Sequence, residues 1–239
     1  MQFAVPSKGR AGSVKTADVL SSCVLYVPRA EADDYRKSNP GQKVVGVPTR
    51  VKGITPTRNW ILDNCGDERV VMIDDDVKVQ GWVQMGETSC KHVKLAEEDW
   101  ARACYQLFNV LDGLKWYVFG VSTQDAPRSV YPFRPFLSRS YVTGSFMGIK
   151  NDGTYRFDES FIVKEDYELT LRHIKEQGGI LCARHIYWSN HHWDDEGGCK
   201  EYRTQGIEAD CIARLIKMYP GLIRQVTRGG SSYSIELEF

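Results

Sequence analysis

Four short runs rich in β-branched residues punctuate the start of the chain: Phe3-Ala4-Val5, Val24-Leu25-Tyr26-Val27, Lys43-Val44-Val45-Gly46-Val47 and Arg69-Val70-Val71-Met72-Ile73. Each stops at a polar, proline or acidic residue, and longer stretches of helical character separate them. That alternation leaves few folds open. It predicts an α/β layered domain whose mainly parallel central sheet carries helices on its faces. The 239 residues, 42% of them hydrophobic, suffice for one substantial core and are too few for two average domains, so one domain over residues 1–239 is expected.

The rest of the chain continues the pattern. Thr55 followed by Pro56 reads as an N-cap and first helical position, opening a short helix. Glu97–Leu114 places Trp100, Cys104, Leu107, Phe108 and Leu111 at spacings of three and four, one buried helical face. Trp116–Val121, Tyr141–Ile149 and Ile180–Tyr187 have strand character. Val163–Gln177 reads as a helix closed by Gly178-Gly179, and Glu201–Tyr219 as another helix. Residues 124–139, rich in proline, arginine and aromatics, read as a long loop of the kind a compact domain retains for function.

Composition excludes several classes. Lys+Arg 31 balances Asp+Glu 31, so the whole-molecule field does not hold a polyanion, and any nucleic-acid contact needs a local patch. Seven scattered cysteines without a C-x-x-C pair suit a reduced protein. The start lacks a signal-peptide pattern, and no apolar run approaches the roughly 18 residues of a membrane span. A cytoplasmic, non-secreted protein is expected.

The chemistry concentrates at Asp74-Asp75-Asp76, three carboxylates that close a buried-looking strand. Their mutual repulsion is relieved by a divalent cation, and hard oxygen ligands suit Mg²⁺ or Mn²⁺; a solvated acidic turn is the plainer alternative. In open α/β sheets ligands bind beyond the carboxyl ends of strands. Two further segments should reach that edge, Pro6-Ser7-Lys8-Gly9-Arg10 and Thr55-Pro56-Thr57-Arg58-Asn59. Both offer backbone N–H groups and guanidinium groups suited to phosphates or a base edge.

Together these residues resemble GT-A glycosyltransferases, whose D-x-D motif holds a metal bound to a nucleotide sugar. Downstream, Phe157-Asp158-Glu159, Lys164-Glu165-Asp166-Tyr167-Glu168-Leu169 and Arg172 are similar to the acidic acceptor motif that opens a helix in that fold, and Asn190-His191-His192-Trp193 resembles its C-terminal metal-binding histidine. More narrowly, the P-S-K-G-R start, the T-P-T-R-N helix and the D-D-D strand end look like the small phage and eukaryotic glycosyltransferases associated with TET/JBP-type dioxygenases.

The resemblance implies a GT-A (Rossmann-like nucleotide-diphospho-sugar transferase) fold with a nucleotide-sugar-binding half over 1–80 and an acceptor-binding half over 81–239. Pro6, Ser7, Lys8, Arg10, Arg58, Asn59, Asp74 and Asp75 would bind a UDP-sugar. Asp76, Asp74 and one of His191 and His192 would hold Mn²⁺ or Mg²⁺. Asp166 or Glu165 would take the acceptor proton, unless these carboxylates merely complement the helix dipole.

Arg128, Arg134, Phe136, Arg139 and Trp193 would bind the acceptor, here double-stranded DNA carrying a 5-hydroxymethylpyrimidine such as 5-hydroxymethylcytosine, met by a basic and aromatic patch. The same loop would serve equally as a hydrophobic lid. A glycan, lipid or small-molecule acceptor is the alternative within the fold, and a non-catalytic nucleotide-sugar or DNA-binding module is the alternative outside it. A phage origin would place the protein in the host cytoplasm.

Overall fold

A computed structural model describes residues 1–85, 90–123, 134–190, 204–228 and 231–238. In chain order its elements are β1 (Gln2–Pro6), α1 (Lys15–Val19), β2 (Val24–Pro28), α2 (Ala32–Ser38), β3 (Lys43–Val47), α3 (Ile54–Asn64), β4 (Arg69–Ile73), β5 (Val77–Met85) and β6 (Cys90–Lys94). There follow α4 (Glu97–Leu114), β7 (Val118–Thr123), β8 (Phe136–Leu137), β9 (Phe146–Lys150), α5 (Glu165–Gln177), β10 (Leu181–Asn190), α6 (Gln205–Met218), β11 (Ile223–Arg228) and β12 (Ser231–Leu237).

The main sheet has the order β3-β2-β1-β4-β9-β7-β10-β5-β6, with β8 alongside β10. Strands β1 to β4 are parallel to one another, and β7 and β10 share their direction, whereas β9, β8 and β5 run the other way. The sheet is thus the mainly parallel, helix-flanked α/β sheet that the sequence predicts, with antiparallel insertions in its second half.

Burial of both sheet faces explains the unbroken apolar runs. In β4, Val71 and Ile73 join a cluster with Phe3, Val5, Leu25 and the α4 face of Trp100, Leu107, Phe108 and Leu111. Val70 and Met72 point the other way, to Ile61 and Leu62 of α3 and Leu169 and Ile174 of α5. A third cluster packs Leu171 of α5 against Cys211, Ile212 and Leu215 of α6 and Ile223 and Ile235 of the β11–β12 pair. No helix among the described residues is long and apolar enough to cross a membrane.

Two local expectations are corrected. Helix α3 starts at Ile54, not after Thr55: Gly53, at φ 90°, is its N-cap. The Thr55 hydroxyl instead donates to the carbonyl of Phe161 (2.7 Å). Pro56 then sits in the first turn, where its missing N–H costs no helical bond. Residues 141–145 are not strand, since β9 begins only at Phe146. Backbone groups of Val142 and Gly144 meet distant side chains, and the Ser145 carbonyl accepts from the Asp74 N–H just past the end of β4.

Candidate active site

Strand order reverses at β1, which has β2 on one side and β4 on the other. Such a reversal opens a crevice at the carboxyl edge of the sheet. The loop after β1 and the Asp74-Asp75-Asp76 turn after β4 both emerge there. The turn is clasped from behind by Thr16, a fully buried residue without any signal in the sequence. Its hydroxyl donates to the Asp74 carbonyl (2.6 Å) and accepts from the Val77 N–H (3.0 Å), while its own N–H donates to the Asp75 carbonyl (3.2 Å).

The three aspartates have different surroundings. Asp75 is 5% exposed and pairs with the Arg10 guanidinium at 2.6 Å; the Ser7 hydroxyl donates to its other oxygen. Tyr35 completes this network, with its hydroxyl 2.7 Å from Ser7 Oγ and accepting from the Arg10 N–H (3.0 Å). Ser7, Arg10 and Asp75 therefore lock the β1 loop to the acidic turn, while Pro6 ends β1 and Lys8 is exposed on the loop.

Asp74 keeps 34% of its side-chain surface open, with Arg58 Nη2 at 3.7 Å. Enclosure by the surrounding protein pushes its carboxyl up to about 7; Arg58 opposes this, Asp76 and Asp75 add to it, and the Ser145 hydroxyl pulls it down. Asp76 is 9% exposed.

Arg58 links this turn to the acceptor-side acids. Its guanidinium is 4% exposed and lies 3.3 Å from Glu165 at the start of α5; it also donates to the Gly144 carbonyl (2.8 Å) and sits over the Phe157 ring at 5.5 Å. A Cβ at position 144 would fall 2.5 Å from Arg58 Nη1, so glycine permits this approach.

Asn59, beside it, is used in full by the chain before α5. Its amide donates to the Phe157 carbonyl and to Glu159 (both 2.9 Å), and its oxygen accepts from the Phe157 N–H (2.8 Å). Asp166 accepts from the Tyr141 hydroxyl, from the Gly144 N–H (2.9 Å) and from the Tyr167 N–H (2.9 Å).

The structure thus gathers Ser7, Arg10, Arg58, Asn59, Asp74, Asp75, Asp76, Glu165 and Asp166 at one edge of the sheet. It does not bring Arg134 and Phe136 there. β8 pairs at Cys182 and Ala183, whereas the acidic turn lies at the far end of β10, where Asn190 opposes Val77. That separation is roughly 20 Å along the strand. Arg139 is exposed, two residues before Tyr141. Arg128, His191, His192 and Trp193 lie outside the described residues. Tyr35, Tyr141, Gly144 and Ser145 are contributors that sequence reasoning missed.

The oxygen donors fit a divalent cation. Asp74 and Asp76 offer two hard carboxylates two residues apart on one turn, and Asp74 keeps part of its side chain open at the sheet edge. Among the described residues no group of three or more metal-ligating side chains is assembled. Two protein ligands leave the remaining positions to phosphate oxygens, water or other residues, as suits Mg²⁺ or Mn²⁺.

Solved structures share this architecture. S. aureus TarS 1-349 in complex with UDP-GlcNAc superposes with a TM-score of 0.56 at 12% identity, covering 92% of this chain and 65% of that one. Glucosyl-3-phosphoglycerate synthase from Mycobacterium tuberculosis, in complex with Mn²⁺, UDP and glucosyl-3-phosphoglycerate, gives 0.56 at 11% identity, covering 99% and 86%. The mannosyltransferase PcManGT from Pyrobaculum calidifontis, in complex with GDP-Man and Mn²⁺, gives 0.54 at 13% identity, covering 89% and 60%.

The fold is therefore that of the GT-A glycosyltransferases. Residues 1–198 match the TET-Associated Glycosyltransferase family, and the chain belongs to it. A curated relative, the Beta-glucosyl-HMC-alpha-glucosyl-transferase of Enterobacteria phage T6, is 31% identical over 84 residues. That alignment covers 34% of this chain and 30% of the phage protein, so it spans under a third of the relative's length.

Proposed function

We propose that this glycosyltransferase moves a sugar from a UDP-sugar to the hydroxymethyl oxygen of 5-hydroxymethylcytosine in DNA. One observation carries the reading: Arg58 and Gly144 hold the Asp74–Asp76 turn and the Glu165-Asp166 helix start together at one sheet edge. Transfer needs a site for the departing diphosphate and a carboxylate near the attacking hydroxyl, and these two acidic segments meet both needs. The UDP, UDP-GlcNAc and Mn²⁺ bound in solved structures that share the fold support the donor and the metal, and the likeness to the phage Beta-glucosyl-HMC-alpha-glucosyl-transferase supports the acceptor.

In the mechanism, Asp74 and Asp76 would hold Mn²⁺ or Mg²⁺, with His191 or His192 as a further ligand. When bound, the cation supplies charge to stabilise the leaving diphosphate. The Ser7–Arg10 loop, braced by Asp75 and Tyr35, would shape the wall against the nucleotide. Arg58 balances Asp74 and Glu165 so that their separation is kept. Asp166 accepts the proton of the acceptor hydroxyl as that oxygen attacks the anomeric carbon. The target base would leave the duplex to reach this edge, with Arg128, Arg134, Phe136, Arg139 and Trp193 on flanking DNA. A place in the cytoplasm belongs to the same reading, supported by the likeness to the phage transferase.

The test is transfer itself. The protein is incubated with Mn²⁺, a panel of UDP-sugars and duplex DNA with or without 5-hydroxymethylcytosine, and the nucleosides are weighed by mass spectrometry. A hydroxymethyl-dependent gain of one sugar mass, lost in excess chelator, is expected. Absence of any such gain overturns the DNA acceptor, and full transfer in chelator overturns the metal.

A further inference from the structure

Asp166 has a lopsided set of partners. Its Oδ2 accepts from both the Tyr141 hydroxyl and the Gly144 N–H, while its Oδ1 accepts from the backbone N–H of Tyr167. Two donors occupy one oxygen, and a single backbone donor leaves a lone pair on the other. Tyr141 is itself fixed by a stacked contact with Tyr167, ring centroids 4.1 Å apart and planes 18° from parallel. Burial, then the negative charge of Asp166, hold the Tyr141 hydroxyl well above its ordinary range, so it remains a donor.

The segment that carries Tyr141 reaches the other acids too. Four residues on, the Ser145 carbonyl accepts from the Asp74 N–H (3.0 Å), and between them the Gly144 carbonyl accepts from Arg58 (2.8 Å). Residues 141–145 thus touch both carboxylate groups without belonging to either. A segment that joins them sets the distance between proton acceptor and donor site, and misplacement by about 1 Å is costly to catalysis.

We propose that Tyr141 is a positioning residue which, with the Gly144 N–H, anchors Asp166 through Oδ2 and leaves Oδ1 as the atom that receives the acceptor's proton. This rests on the reading of Asp166 as the base. The groups around that carboxylate are Tyr141 from the segment after β8, Lys164, Glu165 and Tyr167 at the start of α5, and Arg58 of α3 behind Glu165. Lys164 Nζ stands over the Tyr167 ring at 5.5 Å.

The variant Tyr141→Phe keeps the ring stack and removes only the hydroxyl donor. An ionised carboxylate that loses a donor becomes more basic. With ¹³C-labelled aspartate, the Asp166 carboxyl signal, assigned with Asp166→Asn, should shift at neutral pH in Tyr141→Phe relative to the wild type, as expected of a carboxylate that loses a donor. Binding of UDP with Mn²⁺ should stay within about twofold while kcat for transfer to hydroxymethylated DNA falls about tenfold or more.

An unmoved Asp166 carboxyl signal in a folded Tyr141→Phe protein overturns the proposal, whatever the transfer assay gives. Full transfer by Asp166→Asn overturns the base assignment instead. If wild-type protein leaves this DNA unmodified, the acceptor reading falls and the carboxyl signal alone decides the role of Tyr141.

Discussion

The acidic turn after β4 and the acidic start of α5 stand at the same edge of the sheet, yet their charges are balanced differently. In the turn Asp75 pairs with Arg10 at 2.6 Å, while Asp74 stands 3.7 Å from Arg58 with a carboxyl that burial pushes up to about 7. On α5 each carboxylate has close partners: Glu165 has Arg58, Asp166 has three donors, and Glu168, one turn further, has Arg172 at 3.0 Å and the Tyr219 hydroxyl at 2.9 Å. The first cluster sets three carboxylates side by side at the sheet edge and suits an incoming cation. The second is complete and suits a carboxylate held still.

The sharpest way to break that contrast is Asp76→Asn. If the turn exists to receive a cation, its loss should cut metal-dependent transfer on the order of 10²–10³-fold, with thermal stability close to wild type because the residue lies beyond the end of β4. Wild-type turnover at saturating Mn²⁺, measured alongside the melting temperature, would remove Asp76 from the site.

Next come two carboxylates two residues apart on α5. Asp166→Asn should lower kcat by about 10²–10⁴-fold and barely move the melting temperature. Glu168→Gln should do the reverse. Its 1% exposed carboxylate ties α5 to the end of α6, so its loss should cost about 1–3 kcal/mol in denaturant unfolding while kcat changes less than tenfold. If both variants lose activity and stability together, the helix start is one structural unit and the division between the two residues is wrong.

The same contrast explains what the sequence could reveal. Strand β4 was legible because it is buried on both faces, α4 because five apolar residues mark one helical face, and the acidic turn because three like charges rarely end a buried strand. What could not be read depends on partners far along the chain. Nothing near Asp75 marks it as the paired member, since Arg10 lies 65 residues before it. Arg58 reads as a surface grip until Glu165 and Gly144 enclose it. Residues 141–145 pass for strand because their role is set by Asp166, Arg58 and Asp74. Among the described side chains of the β11–β12 pair, Ile223 and Ile235 alone are buried, too sparse an alternation to stand out.

The smallest expected effect tests whether the back of α5 is as self-contained as its front. His173 is fully buried, its Nδ1 2.6 Å from the Gly179 carbonyl and its Nε2 accepting from the Tyr117 N–H (3.0 Å). This pattern needs the neutral ring with its proton on Nδ1, and burial holds the imidazole down at about 4. Because that value lies below the ordinary 6.5, protons bind the unfolded chain first.

The contribution is therefore intact above about pH 6.5 and shrinks as pH falls toward 4, by about 1 kcal/mol at pH 5.5. Denaturant unfolding of wild type and His173→Gln between pH 7.5 and 4.5 reads the difference. The wild type should lose stability more steeply than the variant over this window, and parallel curves would mean that His173 takes up its proton without disturbing the fold.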